Sequence, residues 1–302
     1  MNFISCRASV ADQRLLSDFP QDPQYLNLVS SLAATAMGIS DQCSVPSLAI
    51  SGSQGTGKST LAQALQILLR EQYGKQAVIF SLDDFYLTLA ERQQLGEKIH
   101  PLLKTRGVPG THDLELMQRT LTALRTGGPA ELPVFDKSRD DRVEITRSIT
   151  SVDLIICEGW CWGARPEEGE SLKVPINILE DERDKGGYWR HYVNHRLGDY
   201  QSLFDQDFKV FLQVPSLDQV FLWRWRQEQD LARKLGSAYT MNQSQVREFI
   251  QFYERLTSWM LEDMPARSDL TVTLSKEHSI ARVTPLGERV YSNLSLPDQD
   301  QK

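Results

Sequence analysis

Cysteine is scarce in this chain. The four present in 302 residues, Cys6, Cys43, Cys157 and Cys161, are too few and too unevenly spaced for a disulfide framework. Long apolar runs are missing as well: none approaches the roughly 18–20 residues of a membrane-spanning helix. Arg7, Asp12, Arg14 and Asp18 interrupt the first twenty residues, where a secretory signal would need an apolar core. Nor is there an excess of positive charge. With 33 Lys and Arg against 40 Asp and Glu, the chain carries −7, which argues against general nucleic-acid binding, since that rests on neutralising phosphates. No internal repeat or low-complexity stretch is present. The expectation is a protein of a reducing compartment, the cytoplasm, with neither membrane nor nucleic acid as partner. Apolar residues at 40% and charged residues at 24% match globular composition. The length suffices for one large α/β domain or two small ones.

What is present is an alternation of short apolar runs and helical stripes. Leu26, Val29 and Leu32 recur at helical spacing and predict an N-terminal helical extension over residues 1–44. Pro46 opens the run Leu48-Ala49-Ile50, which leads into a glycine-rich loop. Leu61, Leu65, Leu68 and Leu69 then mark one face of a helix that Gly74 ends. Ala77–Phe80 reads as a second strand with Asp83 and Asp84 at its carboxyl end. Residues 96–112 read as loop, broken by Pro101, Gly107, Pro109 and Gly110. Thr111 or Asp113 caps a helix striped by Leu114, Met117, Leu121 and Leu124, which Gly127-Gly128 stops. Further strands are predicted at Val152–Cys157, Phe208–Val214 and Leu270–Leu274, the last pairing near Ile280. Long helices are predicted near 216–235 and 242–263. Such alternation implies a mostly parallel sheet covered by helices on both faces, with ligands at the carboxyl ends of its strands. Residues 45–302 are expected to form that domain.

Gly52-Ser53-Gln54-Gly55-Thr56-Gly57-Lys58-Ser59 satisfies G-x-x-x-x-G-K-[ST] at every fixed position, with a strand before it and an amphipathic helix after it. The glycines let the backbone curl so that several N–H groups face a phosphate, and the helix start adds its positive end. Lys58 reaches the β- and γ-phosphates, and the Ser59 hydroxyl is placed for Mg²⁺. The fold expected is therefore of the P-loop NTPase type. The Asn-Lys-x-Asp motif of GTPases and the Leu-Ser-Gly-Gly-Gln signature of transporter ATPases are both absent, whereas each part that a small-molecule kinase needs has a candidate here.

A kinase needs carboxylates, an acceptor pocket and a basic lid. Asp83 and Asp84 read equally as a base or metal-water carboxylate and as turn aspartates. Glu158, ending a buried apolar strand, has the Walker B position beside the phosphate loop. Arg106, His112, Asp113, Asp136, Lys137, Arg139 and Arg142 crowd two polar loops; they suit a small anionic acceptor and also fit ordinary solvated charge. Arg226 and Arg233, late in the 216–235 helix, are candidate lid cations, with a solvated helical face as the alternative. His191 and His195 have metal-ligand spacing but no third ligand, so packing or surface is the better reading. Cys157 and Cys161 lack a second pair for zinc. Trp160 and Trp162 follow Glu158 and are placed to wall a pocket or to pack.

Taken in order, these segments resemble the plant- and fungal-type D-glycerate 3-kinases, relatives of uridine kinase, pantothenate kinase and phosphoribulokinase. The resemblance runs from about residue 46 to 275. It rests on Asp83-Asp84-Phe85-Tyr86-Leu87-Thr88, Arg106-Gly107-Val108-Pro109-Gly110-Thr111-His112-Asp113, Phe135-Asp136-Lys137-Ser138 with Asp141-Arg142, Glu158-Gly159-Trp160 with Arg165-Pro166, and Trp225-Arg226-Gln227-Glu228. Two regions depart from it: residues 235–241 are less glycine-rich than in relatives, and residues 1–44 lie outside. The resemblance implies a phosphotransferase using ATP and Mg²⁺, with D-glycerate as the small-molecule acceptor and 3-phosphoglycerate as product. Lys58 and Asp83 become the catalytic pair, Asp83 as general base. Residues Gly52 to Thr60 become the ATP cradle, and Ser59 with Glu158 the metal site. Asp83, Tyr86, Arg106, His112, Asp136, Lys137 and Arg142 become the acceptor pocket, and Arg226 and Arg233 the lid. A related kinase for a nucleoside, pantothenate or a sugar acid is the alternative, and a nucleotide-dependent regulatory protein the more distant one.

Overall fold

Strands of this chain carry apolar residues at consecutive positions because both of their faces are covered. The computed structural model describes residues 3–40, 45–235 and 240–287. Two N-terminal helices, α1 (Val10–Leu15) and α2 (Pro23–Ser40), precede β1 (Ser47–Gly52), α3 (Lys58–Tyr73) and β2 (Ala77–Ser81). Next come α4 (Leu89–Lys98), α5 (Leu114–Arg125), the strands β3 (Ala130–Asp136) and β4 (Asp141–Ile149), and β5 (Leu154–Gly159). Helices α6 (Ile178–Arg183) and α7 (Tyr188–Gly198) lead to β6 (Phe208–Gln213). The chain continues through α8 (Leu217–Leu235), α9 (Gln243–Asp263), β7 (Leu270–Leu274) and β8 (Ile280–Pro285).

The main sheet has the order β2-β5-β1-β6-β7-β8, parallel throughout except for antiparallel β8. Period-two alternation divides its side chains between two cores. Leu48, Ile50, Leu154 and Ile156 pack with Leu61, Leu65 and Leu68 of α3 and with Val29, Leu32 and Ala36 of α2. Ala49, Ile155, Cys157 and Phe80 pack on the other face with Leu121 of α5, Trp162 and Phe204. The register aligns Ser81, Glu158 and Ile50 across β2, β5 and β1. The carboxyl ends of these three strands therefore lie side by side, with Ser81 and Glu158 at the ends of β2 and β5 and the glycine-rich loop following β1.

Two elements differ from the sequence expectation. Helix α4 reaches Lys98, into the stretch read as loop. It is started by a capping box between Thr88 and Glu91 rather than by an apolar stripe. The polar segment around Asp136 and Arg142 is not a loop but an antiparallel hairpin, β3–β4, whose β4 is mostly exposed and so lacks a hydrophobic signature. The hairpin tip is tied down by Asp140, which accepts hydrogen bonds from the fully buried Arg92 at 3.0 Å and from Arg106. Asp113 rather than Thr111 caps α5, its Oδ1 accepting from the Leu116 amide. The glycine-poor stretch noted at residues 235–241 lies largely outside the described residues.

Leu32 has no exposed surface and joins α2 to α3. Leu32→Ala is expected to lower the unfolding free energy by about 2–5 kcal/mol in urea denaturation. A change below about 0.5 kcal/mol, the size of a typical surface substitution, would mean that α2 is not part of this core.

Candidate active site

The turn from β1 into α3 is the geometric centre of the site. Gly52 has φ +150°, and a Cβ there would lie 2.7 Å from the Leu212 carbonyl oxygen, so the loop hugs β6 only because the residue is glycine. Gly57, at φ +86°, is the N-cap of α3, and the helix starts at Lys58 with its free amides facing the loop. Thr56 Oγ1 donates to the Ser53 carbonyl at 2.9 Å, and Lys58 Nζ donates to the same oxygen at 3.0 Å. The hydroxyl of Ser53 and the side-chain oxygen of Gln54 are buried without partners among the described residues. Burial draws the Lys58 ammonium down from its ordinary range, and the charges of Glu158 and Asp83 oppose that.

Glu158 stands at the end of β5, 6% exposed. Its Oε1 accepts from Ser59 Oγ at 3.2 Å and from Ser81 Oγ at 2.7 Å. Three hard oxygen groups from the phosphate loop, β2 and β5 thus converge, a donor set that fits Mg²⁺ and not a soft metal.

Asp83 follows β2 in a single 3-10 turn, Leu82–Phe85. Its Oδ2 accepts from Lys137 Nζ at 2.6 Å and its Oδ1 from the Tyr86 hydroxyl at 2.8 Å. Burial raises the Asp83 carboxyl, but Lys137, the Tyr86 hydrogen bond and Lys58 outweigh it and hold the group below its usual range. Its neighbour Asp84 points elsewhere, pairs with Arg147 of β4 at 3.2 Å, and is raised by burial. Adjacent aspartates therefore have opposite characters; residue type and spacing leave them equal, and the family resemblance singles out Asp83.

Lys58, Ser59, Asp83 and Glu158 line one cavity of about 330 Å³. Its wall carries four cations, Lys58, Arg106, Lys137 and Arg224, against two carboxylates, Asp83 and Glu158. In a chain of net −7, this is a local reversal of sign that favours anionic ligands. Gln54, Gly55, Gly57, Ser59, Thr60 and Tyr86 also line it. Four of the expected acceptor residues, Asp83, Tyr86, Arg106 and Lys137, therefore share the cavity.

The others stand behind it. His112 is buried beneath Tyr86, with ring centroids 4.6 Å apart, and its Nδ1 lies 2.8 Å from the Tyr200 hydroxyl. Burial pulls its pKa down to about 3, so the ring is neutral. Arg142 pairs with Asp113 at 2.9 Å and Glu91 at 3.3 Å, bracing the starts of α5 and α4. Asp136 accepts from the Ser138 amide and hydroxyl in the hairpin turn.

On α8 the lining residues are Arg224 and Gln227; Arg226 and Arg233 are exposed. A signal for this was in the sequence. Val220 and Trp223 are the buried face of α8, and Arg224 and Gln227 each follow one of them by four residues. Arg224 pairs with the buried Glu228, whose other oxygen accepts from the Met241 amide at 2.9 Å. Phe249 and Tyr253 of α9 complete the wall together with Trp160, whose Nε1 donates to the Gly107 carbonyl at 2.8 Å. Trp162 belongs to the core. Outside the cavity, His191 donates from Nδ1 to the Gly187 carbonyl at 2.7 Å, and burial pushes the thiols of Cys157 and Cys161 up.

Comparison with known proteins converges on the same chemistry. The model of the phosphoribulokinase / uridine kinase family matches residues 47–164. The uncharacterized kinase mug58 of Schizosaccharomyces pombe is 35% identical over 219 residues, which span 68% of this chain and 77% of that protein. The chloroplastic D-glycerate 3-kinase of Arabidopsis thaliana is 29% identical over 246 residues, 76% of this chain and 51% of its own length. A solved D-glycerate 3-kinase from Cryptococcus neoformans var. grubii superposes with a TM-score of 0.73 at 26% identity, over 86% of this chain and 99% of that one. With its phosphate loop, helix-covered parallel sheet and these relatives, the chain belongs to the phosphoribulokinase / uridine kinase family and is an ATP-dependent phosphotransferase.

Proposed function

We propose that the protein transfers the γ-phosphoryl group of ATP to the primary hydroxyl of D-glycerate, giving 3-phosphoglycerate and ADP. The observation that carries this reading is the convergence of Lys58, Asp83 and Glu158 in one cavity whose remaining cations face the space an acceptor would occupy. The likeness to two D-glycerate 3-kinases supports the choice of acceptor. Residues 1–44 are read as an extension that completes the core, and 45–302 as the kinase domain.

The amides at the start of α3 and Lys58 hold the donor phosphates, Lys58 exchanging the Ser53 carbonyl for a phosphate oxygen. Ser59 and Glu158 would hold Mg²⁺, which supplies charge neutralisation on the phosphates. Arg106, steadied by Asp140 and lying over the Phe135 ring at 5.3 Å, grips the acceptor carboxylate. Asp83 accepts the proton of the attacking hydroxyl, while Lys137 and Tyr86 keep its carboxylate oriented. A carboxylate held this acidic is a weak base. It suits a loose transition state, in which the attacking oxygen gives up its proton late and positioning dominates. Arg224 neutralises the transferring group from the α8 side.

A coupled assay of ADP release across D-glycerate, pantothenate, nucleosides and sugar acids decides the acceptor. Turnover strongest with D-glycerate supports the reading. A different best acceptor, or ATP binding without acceptor-stimulated turnover, overturns it. Lys58→Ala is expected to cut kcat/KM by on the order of 10³ or more for every acceptor. Asp83→Asn is expected to lower kcat by roughly 10²–10⁴ while ATP affinity stays near the wild-type value. Lys137→Met removes the strongest influence that lowers the Asp83 pKa and leaves burial to raise it. The acidic limb of the kcat/KM profile should then move up by about one pH unit or more. The sign follows from linkage: in wild type the depressed carboxyl stays ionised until pH falls through its folded value, and the variant protonates earlier. An unmoved limb would separate Asp83 from the proton transfer.

A further inference from the structure

Arg106 is held at both ends. Its guanidinium pairs with Asp140 at the hairpin tip and lies over the Phe135 ring at 5.3 Å. Its main chain is held by two aromatic side chains of the cavity wall, one from α9 and one just after β5. The Tyr253 hydroxyl donates to the Arg106 carbonyl at 3.1 Å, and Trp160 Nε1 donates to the next carbonyl, that of Gly107, at 2.8 Å. The two rings meet edge to face with centroids 5.0 Å apart. Gly107 shows how close the contact is. It has φ +130°, and a Cβ there would lie 2.1 Å from the Tyr253 hydroxyl oxygen and 2.7 Å from its ring. The chain therefore crosses the tyrosine only as glycine. The Gly107 amide finds its partner within the loop, at Thr111 Oγ1 3.1 Å away. The two carbonyls depend instead on side chains 147 and 53 residues distant in sequence.

We propose that Tyr253 and Trp160 are positioning residues for the acceptor: together they fix the Arg106–Gly107 main chain and so set where the Arg106 guanidinium meets the acceptor carboxylate. The inference rests on the reading of Arg106 as the group that grips that carboxylate. A guanidinium on a long stem makes a two-point pair with a carboxylate at low entropic cost only when stem and fork are both set beforehand. Asp140 sets the fork, and the two aromatic donors set the origin of the stem. Without the Tyr253 hydroxyl, the Arg106 carbonyl loses its partner at the cavity wall, and the peptide tilts to find another. Such a tilt is carried out along the side chain to the fork, where a misplacement of about 1 Å is enough to slow an in-line transfer. Burial raises the Tyr253 pKa, so the group remains a hydroxyl able to donate. The same stripe of α9 serves the other wall. Phe249 stands one turn before Tyr253, with ring centroids 4.9 Å apart, and Arg224 lies over the Phe249 ring at 5.5 Å. One helix face thus supports a cation on each side of the cavity.

The test measures steady-state kinetics of the full chain with Mg·ATP and either D-glycerate or glycerol, which offers the hydroxyls without the carboxylate. Wild type is compared with Tyr253→Phe, which removes one oxygen, with Trp160→Phe, which removes the indole N–H, with Arg106→Ala, and with the double variant Tyr253→Phe/Arg106→Ala. The expected result is that Tyr253→Phe raises KM for D-glycerate about 3- to 10-fold, the loss of one hydrogen bond. KM for ATP and kcat/KM for glycerol should stay within about twofold. Trp160→Phe should show the same split. In the Arg106→Ala background, Tyr253→Phe should change kcat/KM for D-glycerate by less than about twofold, because its effect passes through Arg106. An unmoved D-glycerate KM in Tyr253→Phe, an equal rise in the KM for ATP, or full additivity with Arg106→Ala overturns the proposal. If wild type shows no turnover stimulated by D-glycerate, or if Arg106→Ala leaves its KM unchanged, the acceptor reading itself falls and this inference with it. Should glycerol turn over too slowly to measure, or Trp160→Phe fail to fold, the split between D-glycerate and ATP in Tyr253→Phe and the double variant decide.

Discussion

Lys58 stands partly buried beside two carboxylates, and the rest of the cleft is arranged around that opposition of burial and charge. Burial alone would favour the neutral amine; Glu158 and Asp83 act to keep it an ammonium. The same lysine lowers Asp83, jointly with Lys137 and the Tyr86 hydroxyl. Each group thus favours the charged form of another. The sheet order makes this possible. Because β2, β5 and β1 are neighbours and parallel, their carboxyl ends present Asp83, Glu158 and the phosphate loop at one level.

Around this centre sits a polar scaffold that positions the cavity's cations and the neighbouring helix starts. Asp140 gathers Arg92 and Arg106, which fixes the hairpin tip from which Lys137 reaches Asp83. Arg142 and Asp113 brace the neighbouring helix starts. Glu228 does the same on the opposite wall by linking Arg224 to the amide of Met241. Loss of Asp140 or Glu228 would act through the placement of Arg106 or Arg224 in the cavity.

Much of this was legible in the residues. The phosphate loop declares itself because its glycines and lysine are contiguous, and the strands around it because both their faces are buried. Glu158 was visible for the same reason, as a lone acid at the end of an apolar run. What was not legible depends on contacts between distant segments. The β3–β4 hairpin hides because β4 is exposed and polar, so period-two alternation has nothing to mark. Asp83 and Asp84 are identical by type; the family resemblance singles out Asp83, and the partners Lys137 and Arg147 supply the physical difference. The helix α8 was recognised, but its phase was not: Val220 and Trp223 point Arg224 and Gln227 inward, while the motif-bearing Arg226 faces solvent. His112 and Arg142 sit in motifs that invite a ligand role, and in the fold each is engaged by protein groups behind the cavity wall.

The central claim is that the phosphate loop and Asp83 address one phosphoryl group from opposite sides. A crystal structure with a non-hydrolysable ATP analogue, Mg²⁺ and D-glycerate tests it most directly. The account predicts the γ-phosphate against Lys58, with the glycerate hydroxyl between it and the Asp83 carboxylate and the glycerate carboxylate on Arg106. A triphosphate lying elsewhere, or an acceptor oxygen out of reach of an Asp83 still locked to Lys137 and Tyr86, would contradict it.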